Sequence, residues 1–150
     1  MSIMLKMTTL EKNRKGIVLF LCYAFIPLVV GFYIYVFYGA SNTYLFGFVS
    51  EHLGPVELED FRVDLPYLEF VRNHLADGLW SFSLTSTLCL LLYREFALHK
   101  LLCVALLVST LYELSQYFDF IGGTGDVVDV VVMFAFSLFS YFQIKNKLSL

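Results

Sequence analysis

Four apolar stretches, roughly residues 16–38, 78–93, 97–118 and 127–143, leave little of this chain for anything but a membrane. The first, 23 residues from 16 to 38, is the only one of full length free of Asp, Glu, Lys, Arg and His; a helix needs about 20 apolar residues to cross about 30 Å of hydrocarbon. Inside that hydrocarbon every backbone N–H and C=O must be paired within its own segment, so the spans are helical. The expected fold is all-α and integral to the membrane: four transmembrane helices with an extracytoplasmic amphipathic interfacial helix, in one domain covering 1–150. Residues 1–15 form a cytoplasmic arm and 39–77 the external connection.

Charge sorts with this topology. With the N-terminus in the cytoplasm, Lys6, Lys12, Arg14, Lys15, Arg94, Lys100, Lys145 and Lys147 all fall inside, eight of the ten Lys and Arg. That is the positive-inside bias, which places both termini in the cytoplasm. The two outer connections carry eleven of the thirteen Asp and Glu, counting those at the span ends. Acidic residues hardly influence topology, so their gathering on one side needs another cause.

Hydrophobic residues make up 59% of the chain, against roughly 45–50% in a soluble domain. The formal net charge of −3 averages a basic inner face with an acidic outer one, and a nucleic-acid partner is not expected. Cys22, Cys89 and Cys103 each lie in an apolar span without a CxxC or CxxH pattern, and read as small buried hydrophobes rather than a disulfide or zinc framework. The first apolar run is too long for a signal-peptide core and reads as a retained anchor.

Along the chain, Pro27 and Gly31 stand one turn apart and predict a kink in the first span. Residues 44–49 are too short to cross and are expected at the interface. From Asp64 and Pro66, with Leu65, Leu68, Val71, Leu75 and Leu79 at three- and four-residue steps, the sequence predicts an amphipathic helix lying on the membrane. The second span carries Ser81, Ser83, Thr85, Ser86 and Thr87, small hydroxyl residues that favour close helix approach.

Helical rise then fixes the depth of the acids. At 1.5 Å per residue, Glu113 lies about 20 Å from Lys100, Asp129 about 24 Å from Lys145 and Asp77 about 25 Å from Arg94. All three carboxylates therefore reach similar depth, just below the outer surface. Glu113 and Gln116 share a helix face, as do Asp126 and Asp129, while Asn73 and Asp77 are four apart. Ionisable groups at such depth are costly, face the bundle interior and are functional by default.

Each group also has a plainer reading. Asp77 and Asp126, or Thr124 with Asp126, can cap helix N-termini. Glu113 lies near a helix C-terminus, where the dipole disfavours an anion, yet a hydrogen bond to Gln116 or a hydroxyl would account for it. His74 fits a surface position on an interfacial helix. Arg72 either snorkels to headgroups or pairs with an acid, and Trp80 fits an interfacial anchor.

Taken as a site, Glu113, Asp129, Asp126, Asp77 and His74 are the candidate catalytic groups, and Arg72, Asn73, Gln116, Thr124 and Trp80 the candidate substrate contacts. Asp126, Asp129 and Glu113 are the candidate ligands of a hard cation such as Mg²⁺, which takes one or two carboxylates plus substrate phosphate. Low dielectric also suits Glu113 to acid–base work. No Walker loop, HExxH or serine elbow is present.

The third and fourth spans resemble the VanZ-like family of small bacterial membrane proteins. The resemblance rests on Glu113-Leu-Ser-Gln116 and Gly122-Gly-Thr-Gly-Asp126-Val-Val-Asp129, and covers about residues 100–145. In the family a Glu-x-x-Gln ends one helix, a glycine-bearing loop follows, and two acids three apart open the next. This chain has Gly123 where the family commonly has Arg, and Met133 and Phe136 where an Asn and a Gly usually follow; Arg72 is the basic residue left to pair with the acids. The resemblance implies a multi-pass protein of the bacterial cytoplasmic membrane, in some members linked to glycopeptide resistance.

Three functions follow as expectations. The first is an accessory envelope protein whose acidic site binds a lipid headgroup, cell-envelope precursor or glycopeptide. The second is an enzyme acting on a lipid-linked phosphate or glycan. The third, an ion-coupled transporter, is disfavoured because the first span has no ionisable residue and the polar groups stop in the outer third. Membrane lipids are the expected partners, with a second copy or another membrane subunit packing on the hydroxyl-rich second span.

Overall fold

The computed structural model describes residues 14–38, 51, 70–121 and 125–148, with only the backbone described at 36–38, 72 and 73. Among these, no strand occurs. Helix α1 covers residues 14–38, α2 residues 70–92, α3 Leu98–Tyr117 and α4 Val127–Leu148. Arg14–Tyr35, Leu98–Tyr117 and Val127–Leu148 are long and apolar enough to cross a membrane, and Ala76–Leu92 is a shorter apolar helix. These are the helices of a membrane protein.

The interior is built from small polar side chains and the exterior from large apolar ones. Ser81, Ser83, Thr85, Ser86, Ser109, Ser137 and Ser140 are buried, whereas Ile17, Phe25, Val108, Leu111, Val131 and Phe139 are exposed. In water this arrangement would be unstable; in lipid, apolar side chains gain little by leaving the acyl chains, and close packing with hydrogen bonds drives association instead. Helix α2 is the hub, packing on α1, α3 and, most extensively, α4. Ser81 joins three helices, its Oγ lying 2.9 Å from Ser109 Oγ on α3 and 2.6 Å from Ser137 Oγ on α4. Deeper toward the basic end, Ser86 and Ser140 meet at 2.7 Å.

The expected irregularity in α1 takes a defined form. Leu21–Phe25 widens into a π-helix, closed by the Ile26 N–H on the Leu21 carbonyl. Pro27 follows directly and has no N–H to return to the preceding turn. Helix α2 contacts the same turn, with Ser83 Oγ donating to the Ala24 carbonyl at 2.6 Å. Gly31, one turn on, lets α2 come close: a Cβ there would stand 2.8 Å from Trp80 Cδ1 and 3.3 Å from the Ala76 carbonyl.

Helix α2, expected as the second span, differs from expectation at its start. Residues 70–77 were expected to belong to an external, membrane-surface helix, with the span opening at Gly78. They are helical and continuous with the span: Phe70, Leu75 and Ala76 all hold right-handed helical dihedrals. The Val71–Leu75 turn is π-helical. Asp77 therefore lies within a helix and caps nothing. The rest of the expected interfacial helix, and the 44–49 segment, lie outside the described residues.

Short connections hold α2, α3 and α4 antiparallel. Glu95 and Phe96 close the end of α2 on the Leu92 carbonyl, both at 3.0 Å, and Ala97, in extended conformation, starts α3. At the other end Asp119 adopts a positive φ of 56°. Phe120 N–H returns to the Ser115 carbonyl at 2.9 Å and Asp119 N–H to Gln116 at 3.0 Å. This is a Schellman ending, with aspartate taking the left-handed position that glycine usually fills.

Candidate functional site

The site is assembled where α2 and α4 begin and α3 ends. Arg94, Lys100, Lys145 and Lys147 are exposed at the opposite end. On α2, the π-turn holds His74, and Asp77 follows three residues later on the same face. Helix α4 supplies Asp126 just before its first turn and Asp129 within it. From the last turns of α3 come Tyr112, Glu113 and Gln116.

His74 and Asp129 make the central contact. Nδ1 of His74 stands 2.5 Å from Oδ1 of Asp129, with side-chain exposures of only 16% and 9%. Phe70 covers the imidazole, ring centroids 5.1 Å apart. Asp126 has two roles. Its Oδ1 accepts from the Val128 N–H at 2.9 Å, the helix cap expected from sequence. It also lies beside the His–Asp pair: one ligand atom from each of His74, Asp126 and Asp129 falls within 4.8 Å of the others.

Glu113 is the deepest acid of the group. It is 4% exposed and its Oε2 has no hydrogen-bond partner among the described residues. Its carboxyl accepts from the Asp126 backbone N–H and feels the charges of Asp129, Asp77 and Asp126. Asp77 in turn interacts electrostatically with Asp129 and His74. The four carboxyls thus share one electrostatic environment. Gln116, buried beside Glu113, hydrogen-bonds the Tyr112 side chain, so the Gln116 amide is engaged on its own helix.

Gly125 brings α3 and α4 together here. A Cβ at this position would lie 2.6 Å from Tyr117 N, 2.8 Å from Tyr117 Cα and 2.9 Å from the Glu113 carbonyl. All three are backbone atoms, so only glycine permits the approach that sets the Asp126 N–H on Glu113.

No family model, curated protein or solved structure matches this chain. The functional reading therefore rests on the site itself.

Of the candidate residues, His74, Asp77, Glu113, Asp126 and Asp129 come together, with Gln116 at the edge. Trp80 stands apart, 42% exposed, with its ring over Gly31 on α1. The side chains of Arg72 and Asn73, and the whole of Thr124, lie outside what is described. Two participants were not singled out from sequence. Tyr112 lies four residues before Gln116, one turn along the same face, a spacing that identifies it in retrospect. Phe70 gave no signal, because its contact with His74 depends on the helix continuing upstream of the span.

What can this arrangement do? A buried carboxyl oxygen without a donor, next to an oriented imidazole and two further acids, offers strong acceptors for hydroxyl, amide or ammonium groups. It also offers oxygen and nitrogen ligands for a cation.

Proposed function

We propose that this chain is a four-span protein of the bacterial cytoplasmic membrane, both termini inside, whose acid–histidine site binds the polar headgroup of a lipid or lipid-linked envelope precursor at the outer leaflet. Three long apolar helices support a membrane location, the shorter apolar helix Ala76–Leu92 is the fourth span of this reading, and the Lys/Arg distribution favours both termini inside. The envelope context rests on the sequence resemblance of about residues 100–145 to the VanZ-like family alone. One observation carries the binding reading: Glu113 Oε2, buried and without a partner among the described residues. Leaving a buried polar atom unsatisfied costs about 1–3 kcal/mol, a cost a folded protein bears where a ligand supplies the missing donor.

The test is direct binding. Protein in detergent, titrated with phosphatidylethanolamine and separately with a polyprenyl-phosphate-linked disaccharide, should give saturable adducts with one of them by native mass spectrometry. Glu113→Leu should lose them. Equal, non-saturating adducts in both proteins would refute the reading.

A second reading, catalysis on a lipid-linked phosphate or glycan, is favoured by the His74–Asp129 contact. A carboxylate on Nδ1 fixes the imidazole tautomer and leaves Nε2 as a proton acceptor, the arrangement of a general base. Turnover of the lipid-linked probe that disappears in His74→Gln would establish it.

A further inference from the structure

We infer that His74, Asp126 and Asp129 form a divalent transition-metal site, one that takes Mn²⁺ or Zn²⁺ in preference to Mg²⁺. The inference deepens the headgroup reading by naming what lets four clustered carboxyls accept a phosphate-bearing headgroup, which they would otherwise repel.

Geometry comes first. One donor atom from each of the three residues lies within 4.8 Å of the others. Metal–ligand bonds of about 2.0–2.6 Å allow two ligands of one ion to stand up to about 5 Å apart, and His74 Nδ1 and Asp129 Oδ1, hydrogen-bonded at 2.5 Å, would move apart on taking up the same ion. The three residues come from two helices and are separated by 52 and 55 positions from His74 to the two acids, so local sequence alone does not produce the grouping. Asp126 spends Oδ1 on its helix cap, which orients the carboxyl as ligating carboxylates usually are.

A second observation comes from a fourth residue, on another helix. Glu113 Oε2, on α3, is buried and without a partner among the described residues, while its carboxyl accepts from the Asp126 backbone N–H and interacts with Asp129. A cation between the acids, or a water carried on it, would satisfy that oxygen. Three protein ligands with a further polar group alongside is the composition of a site that keeps a coordination position open for substrate.

The choice of metal follows from the imidazole. Carboxylate and water suit Mg²⁺, Ca²⁺ and Mn²⁺; a ring nitrogen shifts preference toward first-row transition ions, Zn²⁺ and Fe²⁺ above Mn²⁺. Mg²⁺, expected from the carboxylates alone, is thus displaced by the approach of His74 to Asp129.

Cys22 and Cys103, expected to be buried like Cys89, are exposed because their helix faces turn away from the bundle; Mn²⁺ is the cleaner probe, because these thiols offer Zn²⁺ other places to bind. The full chain in detergent, with both cysteines changed to serine, is titrated with Mn²⁺ and followed by electron paramagnetic resonance. The expected result is one Mn²⁺ per chain with a ¹⁴N coupling in the pulsed spectrum. His74→Gln should abolish that coupling, and both His74→Gln and Asp129→Asn should weaken binding at least about tenfold, with helical circular dichroism retained. Absence of saturable binding to the folded parent, or a bound ion without nitrogen coupling, would overturn the inference. Because no lipid is present, metal binding with failed headgroup binding would defeat only the headgroup reading, and the converse only the metal site.

Discussion

The imidazole of His74 and the carboxylate of Asp129 meet at 2.5 Å although they are 55 residues apart. The contact fastens the first turns of α2 and α4, which pack together more extensively than any other pair of helices described. A hydrogen bond to a charged group contributes about 1.5–3 kcal/mol. His74→Ala should therefore destabilise the protein by about that amount, leaving Asp129 buried without its partner. A double-mutant cycle with Asp129→Asn, followed by thermal unfolding in detergent, should return a coupling of about 1 kcal/mol or more. Additive single effects would show that the two side chains act independently.

The glycines rank by what they face. Gly125→Ala meets backbone at 2.6–2.9 Å, Gly78→Ala meets Val132 Cγ1 at 2.9 Å and Phe136 at 3.0 Å, and Gly31→Ala meets the half-exposed Trp80 at 2.8 Å. Backbone yields least and an exposed ring most. Melting temperatures should fall in the order Gly125→Ala, then Gly78→Ala, then Gly31→Ala, with the first costing about 1–3 kcal/mol or more.

Ser81 links α2 to both α3 and α4, so its size and its hydroxyl have separable effects. Ser81→Ala removes two hydrogen bonds and should cost about 0.5–1.5 kcal/mol, because membrane-interior hydrogen bonds are modest on average. Ser81→Leu pushes three helices apart and should cost more, by about 1–3 kcal/mol. Equal effects would mean that packing at this junction is looser than its 2% exposure implies.

Topology has a simple discriminating readout. If Ala76–Leu92 crosses the membrane, there are four spans and the C-terminus returns to the cytoplasm, so a fluorescent protein fused after Leu150 will light and alkaline phosphatase fused there will be inactive. If only the three longer helices cross, the C-terminus lies outside and the two reporters reverse.

The sequence and the structure agree best where one physical signal dominates. Long apolar runs mark α1, α3 and α4 to within a few residues, except that α4 extends to Leu148 through the lysines of its last turn. Pro27 marks the irregular turn, and the Asp126 cap follows from its place before Val127. The start of α2 was misread because residues 70–77 are amphipathic, a pattern shared by a surface helix and by a helix entering a bundle with one polar face inward. His74 was weighed as a surface residue for the same reason. Its partner lies on another helix, and no local pattern encodes that register. Depth along each helix brings the carboxylates to one level; only packing brings in the imidazole.

Glu113→Gln offers the most direct test of the central claim that the acid–histidine cluster exists to bind a ligand rather than to hold the fold. Glutamine keeps an oxygen for the Asp126 N–H and replaces a buried carboxyl whose Oε2 has no partner among the described residues with a neutral amide, so the fold loses no hydrogen bond. Measured on one preparation in detergent, the variant should melt at or above the parental temperature and should lose saturable headgroup adducts. Retained adducts, or a fall in melting temperature on the scale of Gly125→Ala, would contradict the account.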